Sequence, residues 1–424
     1  MRPKETGRMQ KLSVLVLASL VLIACVAGNA FATNGYFSNG YSLESKSMAG
    51  AGVALPQGSL DASSNPASMV FVGKRIDVGF SFFNPNRKYT VTGNPSPPPA
   101  FGLTPGSVDS DAKWFIIPSF GFNWMIDEKS SVGVSIYGNG GMNTDYDTST
   151  FYGSSPTGVD LIQLFIAPTY ARKLAGKHAF GITPIFAYQS FEAKGLQAFS
   201  DFSGRPDKLT NNDHDSSYGF GLKVGYLGEI FPNLNIGASA QTKILMTKFN
   251  SYKGLFAEQG DFDIPATTTV GLAYKVTPDI TVALDWQKIY YSDIDSINNP
   301  FLPNIMISQL GNDGGAGFGW EDINVIKVGV QWQSCKEWTW RAGYSYGEQP
   351  IPESEVLFNI IAPGVIKHHA TLGLTKAMGN NELKFALMHA FNEKVKGPNA
   401  FDPAQQIEIK MNQWEISAGY TWKF

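Results

Sequence analysis

Residues 414–424 alternate strictly. Trp414, Ile416, Ala418, Tyr420, Trp422 and Phe424 take one set of positions, and Glu415, Ser417, Gly419, Thr421 and Lys423 take the other. A period of two places the sets on opposite faces of a β-strand. The pattern recurs upstream. Tyr218, Phe220, Leu222, Val224 and Tyr226 oppose Gly219, Gly221, Lys223 and Gly225. Ile280, Val282, Leu284 and Trp286 oppose Thr281, Ala283, Asp285 and Gln287. Further repeats start at Ile326 and Trp338. Short turns are predicted near residues 127–129, 175–177, 232–233, 277–279, 334–337 and 379–381. Long loops are predicted near 85–112, 143–159, 194–213, 249–264, 291–322, 348–364 and 394–411. Six turns and seven loops make thirteen connections, hence fourteen strands with both chain ends on the short-turn side. No segment after the N-terminus offers the run of about 20 apolar residues that a spanning helix needs. A closed barrel is the other structure that satisfies every backbone group in lipid, and ten-residue alternation with terminal aromatics is its signature. The fold class expected is therefore all-β, a transmembrane 14-stranded antiparallel barrel.

Composition narrows the classes further. Charged residues make up only 16% of the chain, aromatics 13%, with 44 glycines and a net charge of -3. That balance gives no electrostatic case for nucleic acid. The N-terminus reads as an export signal over residues 1–32: Lys4, Arg8 and Lys11 precede an apolar stretch, and Ala30-Phe31-Ala32 offers a cleavage site. Met9 is an alternative start, and Leu22-Ile23-Ala24-Cys25 an alternative lipoprotein box. Cleavage after Ala32 leaves Cys335 as the single cysteine, so neither a disulfide framework nor a paired-cysteine zinc site is expected. The five histidines show no metal spacing, and no cofactor is implied.

A fourteen-stranded barrel is too wide for its own side chains to fill. Residues 33–74, rich in Gly, Ala and Ser, precede the first strand and suit a lumen plug. They also carry a family resemblance. Thr33-Asn34-Gly35-Tyr36, then Ser47-Met48-Ala49-Gly50-Ala51-Gly52-Val53-Ala54, then Asn65-Pro66-Ala67 resemble the N-terminal hatch of the long-chain fatty acid and aromatic hydrocarbon outer-membrane transporters of FadL/TodX type. The strand layout and the ending Tyr420-Thr421-Trp422-Lys423-Phe424 extend the resemblance through the chain.

The resemblance implies several things. Ligand is captured by extracellular loops, held in a lumen pocket, and released sideways through a kink in the third strand. The hatch, with Gly50, Gly52, Asn65, Pro66 and Ala67 as its motif and Thr33, Asn34 and Gly35 as its N-terminal plug, blocks the straight path. By chain order the kink falls on Gly138, Asn139, Gly140 and Gly141, where glycines interrupt an alternating strand. The implied partners are a hydrophobic small molecule, outer-membrane lipid and lipopolysaccharide, and a monomer suffices.

Two further groups of residues stand out. Phe301, Leu302, Ile305, Met306, Leu357, Phe358 and Ile361 sit in outer loops and form either a capture surface or a loop-on-loop cap. By parity Lys223, Lys243, Lys327, Arg341 and Lys384 face the lumen, to meet a ligand carboxylate or to pair within the protein. The competing classes are a general porin, against which the hatch argues, and a barrel lipase. For the lipase no convincing carboxylate–histidine set is present, and the Gly-x-Ser-x-Gly string at Gly343–Gly347 falls inside the alternating segment that starts at Trp338 rather than at the strand-to-helix turn of a nucleophile elbow.

Overall fold

The computed structural model describes residues 34–424. The export signal, Cys25 and Thr33 lie outside them. Fourteen long strands form one closed antiparallel sheet. In chain order they are β1 Arg75–Thr92, β2 Phe115–Met125, β3 Ser130–Tyr146, β4 Thr157–Ala175, β5 His178–Lys194, β6 Asp215–Phe231 and β7 Leu234–Gln241. They continue as β8 Thr267–Lys275, β9 Ile280–Ile289, β10 Ile323–Gln333, β11 Trp338–Gly347, β12 His368–Met378, β13 Asn381–Asn399 and β14 Asp402–Lys423. Two short strands, Gly106–Asp109 and Leu245–Met246, attach to the outer reaches of β1 and β6. Pairing of β1 with β14, from Arg75 with Lys423 to Thr92 with Gln406, closes the ring, so neither terminal strand is left as a sheet edge.

The alternation explains the wall. Phe80, Phe82, Ile166, Phe186, Val224, Leu284, Val328, Leu372 and Ile416 stand exposed on its outer face. An apolar outer belt is stable only against lipid. Trp124, Trp332 and Trp340 lie beside the short turns, where an interfacial girdle belongs. Inward positions carry Ser, Thr, Gln, Gly and charged residues, and most are buried.

All six predicted short turns fall between strands as expected. Two outer segments differ from expectation. Residues 394–411 form no long loop: β13 and β14 run on to Asn399 and from Asp402 and meet in a two-residue turn. The alternation of Gln406, Glu408 and Lys410 with Ile407, Ile409 and Met411 dictates this, and the three apolar residues are fully buried. Likewise β1 extends through Pro85 to Thr92, so residues predicted as loop belong to the wall.

Residues 34–73 pack against the inner face of the wall. A short helix, Leu43–Lys46, is capped by Ser42, whose hydroxyl accepts from Ser45 N at 3.0 Å. Two 3₁₀ turns follow, Ser59–Ser63 and Pro66–Phe71. The close approach needs wall glycines. A Cβ on Gly225 would lie 2.1 Å from Asn65 Oδ1, and one on Gly343 would lie 2.2 Å from the Met48 carbonyl carbon.

Candidate functional site: the lumen, its N-terminal segment and a break in the wall

The third strand carries an irregularity. Gly138 pairs with Leu164 and Gly140 with Gln163, so Asn139 is an extra residue, a β-bulge. The effect on the wall is larger than a local bend. β3 pairs with β2 only from Ser131 to Tyr137, and beyond Tyr137 it pairs with β4 alone. On the other side of the break, Phe115, Ile116, Ile117 and Pro118 of β2 pair with β1 alone. Proline has no N–H to offer a ladder, so it fits where one side goes unpaired.

The N-terminal segment supplies backbone partners at the bulge. Gly141 N donates to Tyr36 O at 3.0 Å, and Ser38 N donates to Asn139 O at 3.0 Å. A Cβ on Gly140 would lie 2.0 Å from Tyr36 O, so only glycine admits this contact. The Asn139 side chain faces inward. It accepts from Tyr41 Oη at 3.0 Å and donates to Gln163 Oε1 at 2.9 Å, and Gln163 donates in turn to Gln189. On the outer side of the break a cleft of about 490 Å³ is lined by Trp114, Phe115, Asn143, Asp145, Asp160 and Glu192.

Above the segment the lumen is apolar and aromatic. Tyr36, Phe37, Tyr291 and Trp320 form a contact cluster with ring centroids 5.1–6.0 Å apart. Two of its polar tips are used: Tyr291 Oη donates to Asn34 O at 2.6 Å, and Trp320 Nε1 donates to Asn359 Oδ1 at 2.6 Å.

The residues singled out from sequence are placed as follows. Asn65 caps the turn Pro66–Phe71 by accepting from Ala67 N at 3.0 Å, and its amide donates to Val53 O at 2.8 Å and Tyr226 O at 2.9 Å. Gly50 and Gly52 both have positive φ, and Gly52 N donates to Asp285 Oδ2 at 2.8 Å. Gly35, also at positive φ, packs between Tyr291 and Trp320, and Asn34 is buried.

The outer-loop residues need correction as a surface. Phe301, Ile305, Leu357, Phe358 and Ile361 are buried against one another and the inner loops, because the loops fold inward over the barrel mouth. Leu302 is half-buried beside them, and Met306 and its neighbour Ile307 stand exposed.

Four of the five lumen cations line the inner wall. Lys384 bonds Glu44 and Asp77, Arg341 donates to Gln57 Oε1 at 2.7 Å, Lys223 donates to Ser63 O, and Lys327 lies opposite Asp285. Lys243 does not belong with them. β7 ends at Gln241, and Lys243 sits beyond it in the outer loop, half-exposed and 3.2 Å from Asp263. Arg87 was missed, because residues 85–112 read as loop. It is buried on the inner side of β1, donates to Ala112 O, and lies 5.6 Å from the Phe115 ring at the break. Its place in the alternation with Tyr89 and Val91 was the available signal.

A closed antiparallel barrel with an apolar outer belt and a packed lumen defines an outer-membrane β-barrel. Within that class, the family model described as outer membrane protein transport protein (OMPP1/FadL/TodX) matches residues 23–424, and the chain belongs to that family. The toluene transporter TodX of Pseudomonas putida superposes with TM-score 0.68 at 18% identity, covering 91% of this chain and 99% of that one. A Pseudomonas aeruginosa FadL homologue gives 0.69 at 15% identity over 92% and 100%, and the Ralstonia pickettii toluene transporter TbuX gives 0.63 at 17% over 91% and 99%. A search of curated proteins finds no match to the sequence.

Proposed function

We propose that this outer-membrane protein carries hydrophobic small molecules inward passively and releases them sideways into the membrane through the break between β2 and β3. One observation carries the reading: beyond Tyr137 the ladder between these strands stops, beside an aromatic lumen. A desolvated route suits an apolar ligand, which gains about 25 cal/mol per Å² on leaving water. Residues 34–73 act as the hatch, anchored by Asn65 and closing the straight path. The loop cap, with exposed Met306 at its rim, is the entrance, and adaptable methionine suits varied ligands. One chain contains the whole route, so a monomer in contact with lipid and lipopolysaccharide suffices.

The ligand class is tested by uptake of oleate and of toluene in a deletion strain carrying the gene. Deleting Asn139 restores a regular ladder at the bulge without moving the register elsewhere. Uptake of both ligands is expected to fall to that of the empty strain while the barrel still folds. Undiminished uptake overturns lateral release. Arg87→Met divides the ligands: loss of oleate uptake with toluene retained assigns Arg87 to a carboxylate.

A further inference from the structure

A second, smaller cavity lies between the N-terminal segment and the inner wall of β6–β10. Its volume is about 30 Å³. At about 10–15 Å³ per water-sized body, it holds roughly two such bodies and no hydrocarbon chain. Its lining is rich in donors. Lys223 and Lys327 face it from the wall and are 5% and 6% exposed. Lys327 Nζ has no hydrogen-bond acceptor, and no carboxylate oxygen within 4.0 Å, among the described residues. Two buried side-chain amides that line the cavity, Gln241 Nε2 and Asn39 Nδ2, have no acceptor either.

The charges facing this cavity do not balance. Asp285 is its one carboxylate: Oδ2 is held by Gly52 N and Val53 N at 2.8 and 2.9 Å, and Oδ1 has no hydrogen-bond partner among the described residues. Counted formally, two lysines and one aspartate leave an excess of one cationic group facing the cavity. The neighbouring charge network supplies no spare anion. Arg75, Lys384 and Lys423 there pair with Glu44, Asp77 and Glu382, three of each sign, and Asp61 is near enough to Arg341 to act on it by charge without an ion pair among the described residues. An uncompensated buried charge is costly, and protein interiors pair such charges.

We propose that this cavity is a binding site for one small monovalent inorganic anion of halide size, held by Lys327, Lys223 and the amides of Gln241 and Asn39. Such an ion joins residues 38–64 to strands β6–β10 and acts as a structural tie for the N-terminal segment. It is independent of which ligand crosses the barrel, since no such ligand fits the space.

The test uses the purified full-length protein in detergent. Crystals soaked in bromide are expected to show an anomalous peak between Lys223 and Lys327. The unfolding temperature is expected to rise with chloride concentration at constant ionic strength set by gluconate. Lys327→Met is expected to remove both the peak and the chloride dependence. If that variant fails to fold, Gln241→Leu is expected to weaken both. A cavity that holds water only, bromide found solely at the surface as an adventitious ion only, or a midpoint indifferent to chloride overturns the proposal.

Discussion

Asn65 makes three hydrogen bonds with one side chain, and two of them satisfy carbonyls of separate elements, Val53 and Tyr226. Asn65→Ala leaves both acceptors unpaired and the turn uncapped. The expected cost is about 1–3 kcal/mol for each buried carbonyl left without its donor, and about 1 kcal/mol for the cap. It should appear as faster hydrogen exchange over residues 52–70 with the barrel amides unchanged; equal exchange rates refute the anchoring role. The Asn-Pro pair was legible because both residues favour turns wherever they stand. Its wall partner was not, since Tyr226, whose carbonyl accepts from Asn65 beside Gly225, stands 161 positions away in the chain. The lumen cations were legible by parity only inside strands. Lys223, Lys327, Arg341 and Lys384 kept their facing, whereas Lys243 lost it two residues past the end of regular pairing.

At the scale of elements, glycine spacing marked the bulge in β3, but nothing in that strand shows that β2 parts from it. The break is a property of two strands, and Pro118 is its only trace in β2. The outer hairpin of β13 and β14 was misread because its polar positions, such as Lys394, Glu408 and Lys410, look like loop composition. Their charges lie on one face, and Lys394 pairs with Glu408 at 2.8 Å. The loop over the mouth holds a pH-sensitive group. Burial, with Asp263 and Glu258 adding to it, pushes the Asp261 carboxyl up to about 6. The folded loop therefore binds this proton more tightly than the unfolded chain does. The resulting stabilisation is present below about pH 4 and is lost as pH rises through about 6. Amides of residues 257–264, corrected for intrinsic exchange, are expected to be better protected at pH 5 than at pH 7, and Asp261→Asn should flatten the difference. An unaltered pH profile in that variant assigns the effect to another group.

The whole molecule is a wall and a filling that must be joined, and the joint is largely electrostatic. Arg75 holds Asp77 through two bonds of 2.8 Å, and Lys384 bridges Asp77 on the wall to Glu44 of the Leu43–Lys46 helix. Ser59 N also donates to Asp77 at 2.8 Å, so one wall carboxylate fixes two parts of the segment. The barrel itself needed no such information: alternation, turn spacing and a terminal aromatic specify it, since each is local. The joint requires knowing which inward positions meet across the lumen, and sequence spacing carries none of that. Removing one member of a buried cluster strands its partners, at about 3–5 kcal/mol. Lys384→Met should accordingly lower the urea midpoint and open residues 42–61 to protease, with Glu44 and Asp77 left facing each other. Asp77 keeps Arg75, whereas Glu44 loses its close partner, so adding Glu44→Gln should recover most of the loss in the double variant. If the double variant is instead less stable than Lys384→Met by the full cost of Glu44→Gln alone, the two residues act independently. The segment would then be held by the packing of residues such as Leu43 and Met48 against wall glycines.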